Sequence, residues 1–323
     1  MANKNSNLSA AKCAKNDEFY TRIEDVAEEL RHYKKHFKGK VVLCNCDDPT
    51  WSAFWRYFHL NFAELGLKKL ISTHYDRTEP TYKMEYEGGD DNDVEVGMKT
   101  PLEGNGDFRN QECLDLLDEA DIVVTNPPFS LARAYIQCLR EHNKQFVIIG
   151  DLNWITYKEI FPMLKGNEVW LGCSSVKEFV QPDGTIKKFG NKLWFTNLDI
   201  QKRHEKLILW QRYYDENGNP RPDAEERYPH YYNYMAINVD KVADIPVDYD
   251  GVMGVPITFF DKYNPEQFEI LECHEPAISL EKLKNKKQFT EYKSRQVVIN
   301  GIVCQKTYHR LFIRWVDNSV QEK

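Results

Sequence analysis

The sequence predicts an α/β protein built on a doubly wound, mostly parallel sheet. Short apolar runs typical of buried parallel strands alternate with segments whose apolar residues recur at helical spacing. The apolar runs lie at 40–46, 70–75, 122–124 and 146–150, and the helical patterns at 51–65, 111–119, 131–141 and 156–165. At 323 residues, the chain is long enough for one large domain or two ordinary ones.

Two hairpins are predicted beside this alternating core. Residues 80–99 contain the turn signal Gly88-Gly89-Asp90-Asp91 and predict an inserted hairpin. The apolar runs 168–171 and 192–197 have no helical pattern between them, so we expect a closing antiparallel hairpin there.

The two ends of the chain differ from the core. Residues 1–16 are polar and predict a flexible tail, and a helical pattern then runs from Ile23 to a stop signal near Lys38-Gly39. After about residue 200 the alternation stops, and 252–260 and 296–303 predict strands in a mixed C-terminal part. We therefore expect domains at 17–200 and 201–323.

Cysteine usage and hydropathy exclude several classes. The eight cysteines form no Cys-x-x-Cys pair and no Cys/His cluster, so no metal site is expected. The acidic run 85–95 lacks the spacing of a calcium loop and predicts a solvated hairpin. Without a signal-peptide core or an apolar run of about 18 residues, we expect a cytoplasmic protein with reduced thiols and no membrane partner.

The most informative motif is Asn126-Pro127-Pro128-Phe129, directly after the apolar run 122–124. Two prolines cannot donate to a sheet ladder, so the strand should break into a stiff loop. Open α/β sheets bind ligands at the carboxyl ends of their strands. An Asn amide, a Pro carbonyl and a projecting aromatic ring suit a flat ring that bears an amine. The alternative is a proline-rich turn with no such role.

This loop fits methyl transfer to an exocyclic amine such as adenine N6. The Asn126 side chain and the Pro127 carbonyl would accept the two N6 hydrogens and leave the nitrogen lone pair available for attack. Preorganised acceptors act where charge develops in the transition state. Phe129 would stack on the base, which must leave a duplex to be reached.

Evidence for a methyl-donor site is weaker. The stretch Cys44-Asn45-Cys46-Asp47-Asp48-Pro49 follows the first strand but has no glycine, so a simple turn with a helix cap is an open alternative. Asp76 ends the second strand, where an acidic residue commonly binds ribose hydroxyls. Asp107-Phe108 is expected to end a third strand and to cover the cofactor adenine.

The segment Asp17-Glu18-Phe19-Tyr20-Thr21 is a candidate lid over the methionine end of the cofactor. A helix start in which Thr21 is the N-cap and Glu24 completes a capping box is equally compatible with it.

These segments together resemble the EcoRI-type adenine-specific DNA methyltransferases. The resemblance rests on 17–21, 44–49 and 121–130, and it continues through 155–159, 170–172, 194–199, 248–258 and 264–269. Asn-Pro-Pro-Phe marks amino-methyltransferases broadly, whereas Cys-Asn-Cys-Asp-Asp-Pro is far more particular to this family.

The resemblance implies a Rossmann-like methyltransferase fold. Residues 17–200 would then be the S-adenosylmethionine-binding catalytic domain and 201–323 the target-recognition part, which contacts double-stranded DNA. The candidate site residues, taken from the resemblance and from the strand ends together, fall into two sets. The catalytic set is Asn126, Pro127, Pro128 and Phe129; the cofactor set is Phe19, Tyr20, Thr21, Cys44, Asn45, Asp47, Asp76, Asp107, Phe108 and Asn126.

Charge leaves DNA open as a partner. The net charge is −7, yet 281–315 holds nine Lys or Arg against two Glu, and 187–212 is also basic. Such a local excess can form a basic cleft. The expected phosphate contacts are Lys286, Lys287, Lys293 and Arg295, and a solvated lysine-rich loop is the alternative.

Three other functions stay open. Asn-Pro-Pro-aromatic loops also serve enzymes that methylate RNA adenine or a protein glutamine. The missing glycine loop is compatible with a DNA-binding protein that has lost catalysis.

A restriction endonuclease that acts on the same DNA site stays open as a partner.

Overall fold

The computed structural model describes residues 20–46, 48–76, 80–181, 184–231, 235–273, 296–299, 302–305 and 309–316. The chain divides into two compact units. The first unit comprises Met1–Trp154 and Val169–Lys202, and the second comprises Ile155–Glu168 and Arg203–Lys323.

The described part of the first unit is an α/β structure around one large sheet. Its strands are β1 (Tyr20–Thr21), β2 (Val41–Cys44), β3 (Lys69–Thr73), β4 (Tyr82–Tyr86), β5 (Met98–Pro101), β6 (Ile122–Thr125), β7 (Gln145–Asp151), β8 (Trp170–Val180) and β9 (Ile186–Thr196). Its helices are α1 (Ile23–Leu30), α2 (Lys34–Phe37), α3 (Ala53–Leu60), α4 (Phe62–Leu65), α5 (Gln111–Glu119) and α6 (Ala132–Glu141). A short 3₁₀ helix occupies Phe129–Leu131, and two others, Leu152–Thr156 and Gln201–His204, run across the bounds between the two units.

The strand order in this sheet is β1-β8-β9-β7-β6-β2-β3-β4-β5. The four central strands, β7, β6, β2 and β3, are parallel. All the outer pairings are antiparallel. The expectation of a mostly parallel sheet is therefore wrong for the sheet as a whole, because two hairpins and the N-terminal strand extend it on both sides.

The central strands lie in the buried core of the first unit. All four residues of β2 and all four of β6 are buried, as expected for parallel strands covered on both faces. Ser52 is the N-cap of α3, and its side chain accepts a hydrogen bond from the Trp55 amide at 3.2 Å. Phe54, Trp55 and Phe58 then enter the core on one helical face.

Both predicted hairpins are confirmed. Strands β4 and β5 pair antiparallel around Gly88 and Gly89, which both have positive φ. The closing hairpin of β8 and β9 is longer than the sequence indicated, and its register shifts between Leu171 and Ser175. The buried Glu29 carboxylate accepts the amides of Cys173 and Ser174 at this irregularity, at 2.8 and 2.7 Å.

Several predicted helices are shorter than expected. The pattern that starts at Ile23 forms two helices, α1 and α2, and the pattern at 51–65 forms α3 and α4. Thr21 is not the N-cap of α1, because it belongs to β1 and pairs with Phe179 of β8. The N-cap is Arg22, whose side chain makes no capping hydrogen bond. The capping-box interpretation is therefore wrong.

The described part of the second unit contains short helices, one mixed four-stranded sheet and one antiparallel strand pair. Its helices are α7 (Phe161–Lys165) and α8 (Ala224–Arg227), with 3₁₀ helices at Val242–Asp244 and Ile257–Lys262. Its strands are β10 (Ala236–Asn238), β11 (Val252–Pro256), β12 (Phe268–Glu272), β13 (Gln296–Ile299), β14 (Ile302–Gln305) and β15 (Arg310–Trp315).

Two expectations for this unit need correction. The apolar run 252–260 is a strand only as far as Pro256, after which the chain turns into the 3₁₀ helix. The run 296–303 is not one strand, because β13 and β14 form an antiparallel hairpin there. A four-stranded sheet in the order β10-β11-β15-β12 carries the buried core of the described part of this unit.

Candidate functional site

The strand order reverses between β2 and β6. From β2 the chain proceeds to β3 on one side, and it later returns to β6 and β7 on the other. Such a switch point opens a crevice at the carboxyl ends of the two strands. The Thr125 hydroxyl at the end of β6 donates to the Asn45 carbonyl directly after β2. The two motifs found in the sequence therefore leave the sheet side by side.

The loop Asn126-Pro127-Pro128-Phe129 follows β6 directly. Pro127 is buried, and Pro128 is extended, with φ −61° and ψ 117°, at the entry to the 3₁₀ helix Phe129–Leu131. The Leu131 amide donates to the Pro128 carbonyl at 2.9 Å. Proline rings and this turn hold the loop stiff, as the sequence indicates.

The ring of Phe129 lies in an aromatic environment. It makes edge contacts with Trp154 and Phe179, at centroid distances of 6.5 and 6.3 Å. The ammonium of Lys192 lies 3.9 Å from the centroid of the Phe129 ring. Lys192 was expected only as part of a basic stretch, and neither its burial nor this contact was predicted.

The loop after β2 is held by polar contacts. Cys46 has a φ of 67°, a conformation in which glycine is usual. One oxygen of Asp48 accepts the Thr50 amide at 2.9 Å, the Thr50 hydroxyl at 2.7 Å and the Tyr82 hydroxyl at 2.7 Å. Burial raises the pKa of the Asp48 carboxyl, but the hydrogen bonds from Tyr82 and Thr50, with a contribution from His74, outweigh burial and lower the pKa below its ordinary value.

Tyr135 is a site residue that the sequence reasoning missed. It lies on α6, is 1% exposed, and donates its hydroxyl to the Asn45 side-chain oxygen. Burial holds the pKa of the Tyr135 phenol well above its ordinary value, so the hydroxyl remains a donor. Its ring also contacts Phe108 edge-on, at 5.0 Å between centroids. A tyrosine on the apolar face of a predicted helix was the available signal, because a buried phenol needs a polar partner.

The loops that contain Asp76 and Asp107 meet at Gly106. Gly106 has a φ of 72°, and a β-carbon there would lie 2.0 Å from the His74 carbonyl oxygen. The Asp76 amide donates to the Asn105 carbonyl at 3.2 Å. The two predicted acidic residues are thus on adjoining loops, and only glycine permits this approach.

The expectation that Asp107 and Phe108 end a strand is wrong. β5 ends at Pro101, and both residues lie in the loop before α5. The Asp107 carboxylate binds the Arg109 guanidinium through two contacts, at 2.8 and 2.6 Å, and Phe108 is buried. Cofactor binding by these two residues stays a prediction.

Tyr20 and Thr21 form β1 and pair with Val180 and Phe179 of β8. Because Phe179 contacts Phe129, this segment approaches the Asn-Pro-Pro-Phe loop. The Thr21 hydroxyl oxygen is buried and has no hydrogen-bond partner in the described part of the chain; the same holds for the Thr73 hydroxyl at the end of β3. At each hydroxyl, a polar group of a ligand would gain a hydrogen bond.

Six predicted site residues lie outside the described residues. They are Phe19, Asp47, Lys286, Lys287, Lys293 and Arg295. Within the described ranges, no group of three or more His, Cys, Asp or Glu side chains could hold a metal ion. The helices in the same ranges include none that is long and apolar enough to cross a membrane.

Comparisons with known proteins agree with the two motifs. The profile of the family described as adenine-specific methyltransferase EcoRI matches residues 7–316. The Type II methyltransferase M.EcoRI of Escherichia coli is 45% identical over 83% of this chain and 89% of its own length. M.MpnI of Mycoplasma pneumoniae is 37% identical over 97% of this chain and 99% of its own length. No solved structure matches the chain.

Proposed function

Because this chain belongs to the family of the adenine-specific methyltransferase EcoRI, we propose that it transfers a methyl group from S-adenosylmethionine to N6 of an adenine flipped out of duplex DNA. Membership makes the chain a DNA-modifying methyltransferase. One observation carries the finer proposal: Asn45 and Asn126 leave neighbouring parallel strands where the strand order reverses, joined through Thr125.

The residues at this crevice fit S-adenosylmethionine. Near this crevice, Thr73 at the end of β3 has a buried hydroxyl without a hydrogen-bond partner among the described residues, and it offers a hydrogen bond to a polar ligand. The buried Thr21 hydroxyl, in β1, likewise has no partner among those residues. Cys46 supplies the left-handed turn that a glycine supplies in many nucleotide-binding loops. Asp76, on the loop after β3, would bind the ribose hydroxyls. When bound, the cofactor supplies a methyl group on a positively charged sulfur.

Asn126 and Pro127 would act on the amine of the target base. The Asn126 side-chain oxygen and the Pro127 carbonyl would each accept one N6 hydrogen. These acceptors would hold the amine in place and stabilise the positive charge that develops on N6. The prolines and the turn at Leu131 stiffen the backbone that carries both acceptors. No covalent nucleophile from the chain is required.

Phe129 would hold the flipped base by stacking. Base flipping costs a few kcal/mol, and base–aromatic stacking returns about 1–3 kcal/mol. The aromatic contacts with Trp154 and Phe179 keep the ring in position.

The remaining assignments concern the whole chain. We assign catalysis and cofactor binding to 17–200 and target recognition to 201–323, with Lys286, Lys287, Lys293 and Arg295 as phosphate contacts. A cytoplasmic location and a restriction endonuclease specific for the same site complete the proposal. The basic excess in 281–315 supports the DNA contacts, because counterion release favours positive residues.

The test offers the purified full chain three acceptors together with radiolabelled S-adenosylmethionine. Plasmid DNA, total RNA and a protein extract are supplied separately, and digestion with mass spectrometry identifies the product. We expect N6-methyladenine in DNA, at one sequence by single-molecule sequencing. Label only in RNA or on glutamine would overturn the proposal. Asn126→Ala, assayed in parallel, excludes a contaminating methyltransferase.

A further inference from the structure

Lys192 is a buried lysine with no role in the mechanism above. It lies in β9 and is 6% exposed. Its ammonium is 2.7 Å from the Asp151 carboxylate and 3.9 Å from the centroid of the Phe129 ring. A second ring, that of Phe189, lies 5.2 Å away. The ammonium is therefore placed between one carboxylate and the aromatic residue of the catalytic loop.

The Asp151 carboxylate is held by donors other than Lys192. It is the last residue of β7 and lies opposite Lys192 in the antiparallel register of β7 and β9. One carboxylate oxygen accepts the amide and the side-chain amide of Asn153, both at 2.8 Å. The other accepts the side chain of Asn191 at 2.8 Å as well as Lys192. Three donors besides the ammonium thus fix the Asp151 carboxylate.

Burial of an ammonium is costly unless its charge is compensated. Here the compensation comes from Asp151 on one side and from the electron-rich face of Phe129 on the other. A cation–π contact is stronger when the cation is desolvated. Trp154 and Phe179 meet the Phe129 ring in edge contacts, whereas Lys192 meets its face.

We propose that Lys192, held by Asp151, is a positioning residue that fixes the plane of the Phe129 ring for stacking on the target adenine. The proposal rests on the function proposed above. Since an ammonium and a base cannot occupy one face together, the adenine is assigned to the opposite face. Lys192 acts through the ring and makes no contact with the reacting nitrogen.

The first test changes mainly the electrons of the ring, with a small change in its size. Phe129 is replaced by phenylalanines that carry one, two or three fluorine atoms, which progressively weaken the negative face of the ring. Thermal unfolding is measured without DNA, so no base contributes. We expect the midpoint to fall stepwise with fluorination. A midpoint that does not depend on fluorination overturns the proposal, and this result needs no variant of Lys192 to fold.

The second test asks whether the ring position matters for catalysis. Asp151→Asn/Lys192→Met removes both charges together and leaves no buried carboxylate unpaired. With 2-aminopurine at the methylated position, we expect base capture to weaken roughly threefold to thirtyfold, the range of cation–π contacts from exposed to desolvated ones. The single variant Lys192→Arg, which keeps a positive charge beside Asp151, should retain most of the wild-type base capture. Lys144→Met, which removes an ammonium bonded to the Asp118 and Ala120 carbonyls, is the control and should leave capture unchanged.

Base capture in the double variant equal to that of the wild type would overturn the proposal, as would an equal loss in the Lys144→Met control. Failure of the proposed function gives a different result. In that case the wild-type chain methylates no DNA, while the fluorination series still reports the contact between Lys192 and Phe129.

Discussion

Two loops leave the carboxyl ends of the neighbouring strands β2 and β6, and they are stabilised in different ways. The loop after β2 is held by polar contacts, since Asp48 accepts three hydrogen bonds and Asn45 binds Tyr135. The loop after β6 is held by two prolines and by packing of Phe129 against aromatic rings.

The difference follows from what each loop would bind. Polar groups after β2 are already arranged by partners on other elements, and they suit a polar cofactor that enters a preformed site. The loop after β6 would present acceptors and a ring to a base that arrives from a duplex, so its shape depends on covalent stiffness and apolar contacts. Substitutions should therefore separate cofactor binding from base capture.

Asn126→Ala is expected to have the largest effect. It removes an acceptor used at the reacting nitrogen, and loss of one preorganised partner costs about a hundredfold to a thousandfold in rate. Single-turnover methylation measures the rate, and a gel-shift assay should show nearly unchanged DNA affinity. A single-turnover rate near that of the wild type would refute the assignment of Asn126.

Tyr135→Phe should weaken the loop after β2. Without the hydroxyl, the buried Asn45 oxygen loses its donor, which costs about 1–3 kcal/mol. Calorimetry should show weaker S-adenosylmethionine binding, with base capture little changed.

Tyr228→Phe is the matched control for this prediction. The Tyr228 hydroxyl also donates from a buried phenol, but to the Asp244 carbonyl in the second unit. It should lower the free energy of unfolding without changing cofactor affinity. Equal cofactor affinities in the two variants would argue against a role for Tyr135 at the donor site.

Phe129→Ala should weaken base capture more than cofactor binding, the reverse of Tyr135→Phe. Loss of base stacking costs about 1–3 kcal/mol per base, so capture of the flipped base should weaken more than cofactor binding. Fluorescence of 2-aminopurine at the target position follows capture on mixing. If the variant gives the wild-type enhancement, Phe129 is not the surface on which the base stacks.

Asp48→Asn should have the smallest effect, and one that depends on pH. The pKa of Asp48 is lowered in the folded chain, so its contribution to stability is present above the unfolded pKa of about 3.9 and is lost as pH falls through the folded value. Urea unfolding should show a constant difference from wild type above about pH 5 that shrinks below pH 4. A difference independent of pH would show that the Asp48 charge does not stabilise the loop.

The sequence allowed prediction of what local patterns determine. Apolar runs identified β2, β6 and β7, and paired prolines identified the stiff loop after β6. The length of β8 could not be predicted, because the buried Glu29, more than 140 residues away, supports its irregular register. A single sequence does not show such a long-range contact.

The candidate site was also predictable only in part, because some of its residues come together through long-range contacts. Asn126 and Phe129 lie in one short motif, whereas Tyr135 and Lys192 enter the site from a helix and from a distant strand. Lys192 looked like one of several surface cations, and only the register of β7 and β9 places it beside Asp151. The expectation that Asp107 ends a strand was wrong, because the chain between β5 and α5 is a loop, which the short segment 106–108 does not reveal.

The pairing of β1 with β8 has a consequence for the order of assembly during synthesis. Tyr20 and Thr21 pair with Val180 and Phe179, and Arg22 binds Glu178, 156 residues further along the chain. A nascent chain that has not yet extended past residue 180 cannot make these contacts, although its parallel strands are already available to fold. Strand β1, although it lies near the start of the described chain, is therefore among the last parts of this sheet to be completed.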